Sequence, residues 1–207
     1  MKVLLAIFLV LMMWLCLDLA TPSHTQLRQF NPKEVAHIET QMWRAYYEHR
    51  SVYLFHLLGT LLREQYGLSF WKSELGAYYA TRAAVVFQRG QSRADYEQAL
   101  PDLRRYYAMI RRGSDVPFNS DRAAEKELEW WIAHRNKRPD LAATLAALQG
   151  ELYQTSPEPF DVHAQARARA MIYRDEKGSS ITNEDWARIE SWLDNSWSSL
   201  YQQVKSN

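Results

Sequence analysis

Residues 182–204 read TNEDWARIESWLDNSWSSLYQQV. Within them Trp186, Ile189, Leu193, Trp197, Leu200 and Val204 follow at steps of three and four, the spacing that gathers side chains on one face of a helix. Thr182 and Asp185 stand just ahead of that stripe. They form the capping-box pattern, in which each side chain satisfies a backbone N–H of the other. The segment is predicted to be an amphipathic helix that docks its apolar face in a groove between other helices. A membrane-surface role is disfavoured, because the outer face lacks the Lys and Arg that lipid binding uses. Partner binding is the functional alternative.

The same periodicity recurs upstream. Asn31-Pro32-Lys33-Glu34 combines a capping Asn, a Pro suited to the first helical position and a Glu that can reach back. It predicts a helix to about Tyr66, ended by Gly67, with Ile38, Met42, Trp43, Tyr46, Leu54, Leu57, Leu58 and Leu61 inward. A second helix is expected from Ser69 to Gly90, with Leu75, Tyr78, Val85 and Val86 inward. A third starts at Ser92 and Asp95, restarts at Pro101 and ends at Gly113. Asn119 or Ser120 caps a fourth through Arg135, and Pro139-Asp140 starts a fifth with Leu141, Leu145, Leu148 and Leu152 on one stripe. After Pro157 and Pro159, Ala164, Ala166, Ala168 and Ala170 mark a thin sixth helix, and residues 177–181 a linker. Seven Gly and seven Pro in 207 residues are few. The fold expected is therefore all-α, a single bundle of about six or seven helices over residues 31–207.

The N-terminus differs in kind. Lys2 precedes VLLAIFLVLMMWLCL, residues 3–17, an unbroken apolar run that Thr21-Pro22-Ser23 follows. This is the pattern of a signal anchor or signal peptide over residues 1–20, with residues 21–30 as a polar linker. As a helix the run is about 22 Å long, short of a hydrocarbon core of about 30 Å. Cleavage lacks a good A-x-A-like site, since Ala20 has Asp18 before it and Pro22 behind it. Phe8, Met12, Met13 and Trp14 also suit a retained anchor, with Lys2 and Trp14 near opposite interfaces. The expectation is a single-pass membrane protein, inserted through residues 3–17, with its helical domain outside the cytoplasm. A secreted or periplasmic domain after cleavage is the alternative, and a buried soluble helix the third. Arg28 and Lys33 weaken the charge contrast that sets orientation. Leu15 before Cys16 argues against a lipid-modified cysteine.

Composition narrows the function. A formal net charge of +1 lacks the positive footprint of a nucleic-acid binder, so no nucleic-acid partner is expected. Eighteen Arg stand against seven Lys, which favours guanidinium groups packed on aromatics and carboxylates. A single cysteine excludes an intrachain disulfide and a Cys-based zinc site. There is no G-x-S-x-G elbow, no Gly-rich phosphate loop, and no repeat with the 34-residue period of tetratricopeptide arrays. Glu34 and His37 form one E-x-x-H pair where a carboxylate-bridged di-iron bundle needs two, so no metal or other cofactor is expected.

One pattern stands out: a carboxylate four residues before an aromatic. Glu39 precedes Trp43 and Glu127 precedes Trp131, with weaker echoes at Glu74 and Tyr78 and at Asp102 and Tyr106. Residues four apart share a helix face, so each carboxylate borders an apolar stripe. Tyr46 and Arg50 lie beyond Glu39, and His134 and Arg135 beyond Glu127. Such carboxylates either pair with Arg, with Arg82, Arg167 and Arg174 the natural partners, or build a polar site. His49 and His56, seven apart, read as interhelical polar contacts, and His163 as a cap. Two functions follow: a membrane-tethered interaction or scaffold module with a protein partner, or a small-ligand or metal-binding bundle, even an enzyme. The second has a pocket of Glu39, Trp43, Tyr46, Arg50, Glu127, Trp131 and His134.

Overall fold

The computed structural model describes residues 2–21 and 24–205; Pro22 and Ser23 of the expected linker lie outside the described residues. The helices are α1 (Lys2–Ala20), α2 (Pro32–Tyr47), α3 (Ser51–Glu64), α4 (Phe70–Arg89), α5 (Arg93–Glu97), α6 (Leu100–Gly113), α7 (Ser120–Arg135), α8 (Leu141–Tyr153), α9 (Asp161–Lys177) and α10 (Asn183–Lys205). Single 3-10 turns, Glu158–Phe160 and Gly178–Ser180, precede and follow α9. The fold is all-helical, as the sequence predicts.

The packing of the helices is more specific than a bundle. Each of α2, α3, α4, α6, α7, α8, α9 and α10 packs on the next in that order, and α10 packs back on α2. Eight helices thus close a ring, and the short connections make successive members antiparallel. At one end Thr25 pairs with Ser114 just beyond α6, and Phe30 meets Trp197 and Tyr201 late in α10. At the other, Phe87 late in α4 meets Tyr96, and Tyr47 at the end of α2 bonds Asp175 late in α9. α2, α4, α7 and α9 therefore run from the first end to the second, and the other four return.

The count exceeds the expectation because the helix expected through Tyr66 is two helices. α2 stops at Tyr47, and His49 takes a left-handed φ of 55°. The N–H of Arg50 then returns to the carbonyl of Ala45 at 2.8 Å, the six-to-one bond of a Schellman turn. Lys137 and Gln154 stop α7 and α8 in the same way, with φ of 54° and 55° and return bonds from Arg138 to Ala133 and from Thr155 to Gly150. That position usually holds Gly or Asn, so none of the three reads as a stop. His49 consequently sits in a turn, with Nδ1 3.0 Å from Gln88 Oε1, and does not share a helix face with the exposed His56.

Four of the expected caps form, whereas Ser69, expected to cap α4, makes no cap bond with its side chain. Asn31 and Asn119 accept backbone N–H groups at the starts of α2 and α7, and Ser92 with Asp95 and Thr182 with Asp185 complete capping boxes. α4 keeps its expected limits but turns Ser73, Gly76, Ala77, Ala83 and Phe87 inward. Leu75, Val85 and Val86 are only half-buried and Tyr78 is exposed. Small residues face α3 because the helices lie close: a Cβ on Gly59 would stand 3.8 Å from that of Ala77.

Residues 24–30 are a strap rather than a loose linker. Thr25 donates its N–H to the Gly113 carbonyl at 2.7 Å, the Tyr153 hydroxyl donates to the Leu27 carbonyl at 3.0 Å, and Leu27 and Phe30 are buried. The strap crosses one end of the ring, where α1 also attaches. Asp18 of α1 accepts the Ser69 hydroxyl and the Trp71 N–H, each at 2.9 Å, and so caps α4. Trp14 stacks on Phe70 at 5.5 Å. The rest of α1 stands clear of the domain with its apolar residues exposed. Its 19 residues span about 28 Å, longer than the 15-residue apolar run suggests. Among the described residues it is the helix long and apolar enough to cross a membrane.

Candidate ligand cavity

A ring of eight helices is too wide for its side chains to fill the centre. A cavity of about 280 Å³ remains, lined by all eight: Glu39 (α2), Leu58 (α3), Ala84 (α4), Tyr107 (α6), Glu127 (α7), Leu148 (α8), Arg167 (α9) and Trp197 (α10) are among its walls. This is just under the usual range of about 300–1,000 Å³ for small-molecule sites, and the walls share their character, mostly apolar and aromatic with a few polar groups.

Those polar groups form a belt at mid-height. Arg167 donates from Nε at 2.9 Å and from Nη2 at 2.5 Å to Oε1 of the buried Glu39, whose Oε2 accepts the Trp197 indole N–H at 2.5 Å. Glu127 accepts the Tyr107 hydroxyl at 2.8 Å on one oxygen and the Trp131 indole N–H at 2.9 Å on the other. The guanidinium of Arg167 also lies over the Trp130 ring, 4.9 Å from its centroid. Burial alone would lower the Arg167 pKa, but the carboxylates of Glu39 and Glu127 outweigh it and hold the pKa above its ordinary value. Arg167 is thus a fixed cation between two acidic side chains.

Phenols line the rest. Burial, and then the charge of Glu127, push the Tyr107 hydroxyl far above its usual pKa; burial and Glu39 do the same to Tyr66, and burial to Tyr106. These groups stay protonated, and Tyr107 donates to Glu127. Tyr66 and Tyr106 keep accessible surface although they lie deep in the fold, because it faces the cavity. Leu27 of the strap closes this end.

At the opposite end the lining is Tyr46, Tyr47, Trp131 and His134, all half-buried. Tyr46 accepts a hydrogen bond from Arg135 at 3.4 Å, and Tyr47 donates to Asp175 at 3.2 Å beneath the guanidinium of Arg174. His134 Nε2 stands 3.0 Å from Asp175. Burial raises the Asp175 pKa, but its partners, His134 first, outweigh this and bring it below the ordinary carboxylate value.

Six of the seven residues singled out by sequence line this cavity: Glu39, Trp43, Tyr46, Glu127, Trp131 and His134. Arg50 does not, because the break after α2 carries it to the outer surface, where it pairs with Glu48 at 2.7 Å and lies over Tyr53. The two glutamates differ in their partners. Glu39 has the expected Arg167, whereas Glu127 is held by neutral donors. Tyr66, Tyr107 and Trp197 gave no signal of their own: Trp197 reads as one residue of an apolar stripe, and Tyr66 only as a helix end. His163, expected as a cap, is fully buried, with Nδ1 2.8 Å from Ser196 Oγ.

The lining holds no Ser, Thr or Cys. It offers carboxylate acceptors, phenol hydroxyls, one imidazole and aromatic faces. Glu34 and His37 stand apart from it, with His37 at the surface 2.8 Å from Glu190. Among the described residues no three His, Cys, Asp or Glu side chains converge as metal ligands. Compared with protein-family models, with curated proteins and with solved structures, the chain shows no match.

Proposed function

We propose that the protein is a membrane-anchored small-ligand-binding protein. In this reading α1 holds the chain at a bilayer, and the helical ring, outside the cytoplasm, takes a mostly apolar ligand into its central cavity. The observation that carries it is the cavity itself, walled by every long helix of the ring and crossed by a polar belt. A void of this size costs packing energy unless something fills it. The strap and α1 both attach at one end of the ring, which leaves the opposite end unobstructed by the anchor.

Purified full-length protein is expected to release a small molecule on denaturation, detected by mass spectrometry. An Ala84→Trp variant, which fills the cavity from α4, should release none. Equal recovery from both proteins would overturn the reading. The anchor is tested separately: alkaline carbonate should leave the full chain in the membrane fraction and extract a chain lacking residues 2–20. A carboxy-terminal alkaline phosphatase fusion, active only outside the cytoplasm, reports the side.

An interaction or scaffold role is the other reading. Its support is the exposed apolar residues Val52, Val162 and Ile172. They stand singly, and scattered apolar residues are ordinary on a protein surface, so the cavity is the stronger support.

A further inference from the structure

The belt is not electrically balanced. Two carboxylates, Glu39 and Glu127, face one guanidinium, and Arg167 spends its Nε and Nη2 on Glu39. Glu127 has no ion pair with a cation among the described residues. Its oxygens accept one neutral donor each, from Tyr107 and Trp131, whereas a carboxylate offers about four lone-pair positions. It is also only partly buried, and it lines the cavity. Trp131 contacts it and Trp43 lines the same cavity, and their ring faces attract cations; the faces of Trp130 and Trp197 are taken by Arg167. The rim cations do not neutralise Glu127. Arg135 lies eight residues, about 12 Å, further along α7, over the rings of Phe87 and Tyr96, and Arg174 is engaged by Asp175 and the Tyr47 ring.

We propose that the ligand is a small organic cation, an amine or quaternary ammonium with an apolar body, whose charged nitrogen sits against Glu127 with the rings of Trp131 and Trp43 beside it. This rests on the small-ligand reading above and names its ligand class. The carboxylate supplies the counter-charge, the indoles the cation–π surface, and the aliphatic wall of Leu54, Leu58 and Leu61 the seat for the body. An anionic ligand would meet Glu127 with its like charge.

The test titrates full-length protein in a neutral detergent with three probes of similar size, following tryptophan fluorescence and calorimetry. They are benzyltrimethylammonium, 2-phenylethanol and 3-phenylpropionate. The expected result is that the cation binds at least about tenfold tighter than the alcohol, as one unpaired charge contact provides, and that the carboxylate binds weakest. Glu127→Gln should bring the cation down to the level of the alcohol, and Glu127→Asp should retain part of the preference. Equal binding of cation and alcohol, or tighter binding of the carboxylate, overturns the ligand class and leaves the cavity reading standing. Binding of none of the three overturns both. The wild-type series does not depend on any variant folding.

Discussion

Arg167 on α9 closes on a single oxygen of Glu39 on α2, with Nε at 2.9 Å and Nη2 at 2.5 Å from Oε1, while the Trp197 indole of α10 takes the other oxygen. Three helices are tied by one carboxylate. An ion pair this deep gains little over a well-packed apolar pair, because both charges lose their hydration, yet breaking it on one side strands a charge. Arg167→Met should therefore destabilise the fold by about 3–5 kcal/mol, since it leaves both Glu39 and Glu127 without a cation. Glu39→Gln should cost less, because Arg167 keeps Glu127 nearby. The double variant Glu39→Leu with Arg167→Met should recover part of the loss. Denaturant midpoints by circular dichroism decide this, and additive single and double effects would refute the coupling.

His163 predicts a pH dependence. Its ring is buried beside Ser196, Trp197 and Arg167; burial first, and then the positive charge of Arg167, lower its pKa from 6.5 to about 3. The unfolded chain therefore takes up a proton near pH 6.5 that the folded chain refuses until about pH 3. The stability tied to the neutral ring is whole above the unfolded value and lost as the pH falls toward the folded one, by up to about 1.4 kcal/mol per pH unit. His163→Gln should flatten the acid limb of stability against pH by the equivalent of one proton. An unchanged slope would show that His163 does not govern it.

The left-handed turns give a third prediction. His49 and Lys137 each hold φ near 55° with a Cβ present, at a cost of about 1–2 kcal/mol in that region. Lys137→Gly removes the strain and loses some chain entropy in return. A net gain of up to about 1 kcal/mol, or 2–4 °C in melting temperature, is expected. Lys137→Val should lower the melting temperature, because a β-branched side chain tolerates the conformation worst.

These turns also mark where the sequence is legible and where it is not. Caps are local: Asn31, Asn119, Ser92 with Asp95 and Thr182 with Asp185 all sit where neighbouring residues alone place them. A helix stop built on His49 is not local in that sense, because packing of α2 on α3 imposes it against the residue's own preference. Ring closure is less visible still. The apolar stripe of α10 indicates that it docks, but the return of α10 to α2 depends on the summed geometry of the helices between. Hence Glu39 and Glu127 stand out by residue type among aromatics, while Trp197 reads as core, since nothing in a stripe distinguishes packing on a neighbour from facing a void. The mistaken placement of Arg50 follows directly from the unread turn one residue before it.

The attachment of α1 supplies the last prediction. Asp18 accepts two hydrogen bonds at the start of α4, from Ser69 Oγ and the Trp71 N–H, and the Lys72 side chain donates to the Thr21 carbonyl. The apolar helix is thus clamped to the domain by a cap that the side chain of Ser69, itself the N-cap residue, does not make. Asp18→Ala removes that acceptor. It should cost about 0.5–2 kcal/mol, the usual worth of a helix cap, with the loss confined to the start of α4. Deletion of residues 2–20 removes the same acceptor together with the Trp14 ring, so its effect on the melting of the ring should be at least as large. Amide hydrogen exchange reads the location: faster exchange at residues 70–73 in Asp18→Ala, with α7 to α10 unchanged, is the expected pattern. Unaltered exchange at residues 70–73 would mean that Asp18 does not cap α4.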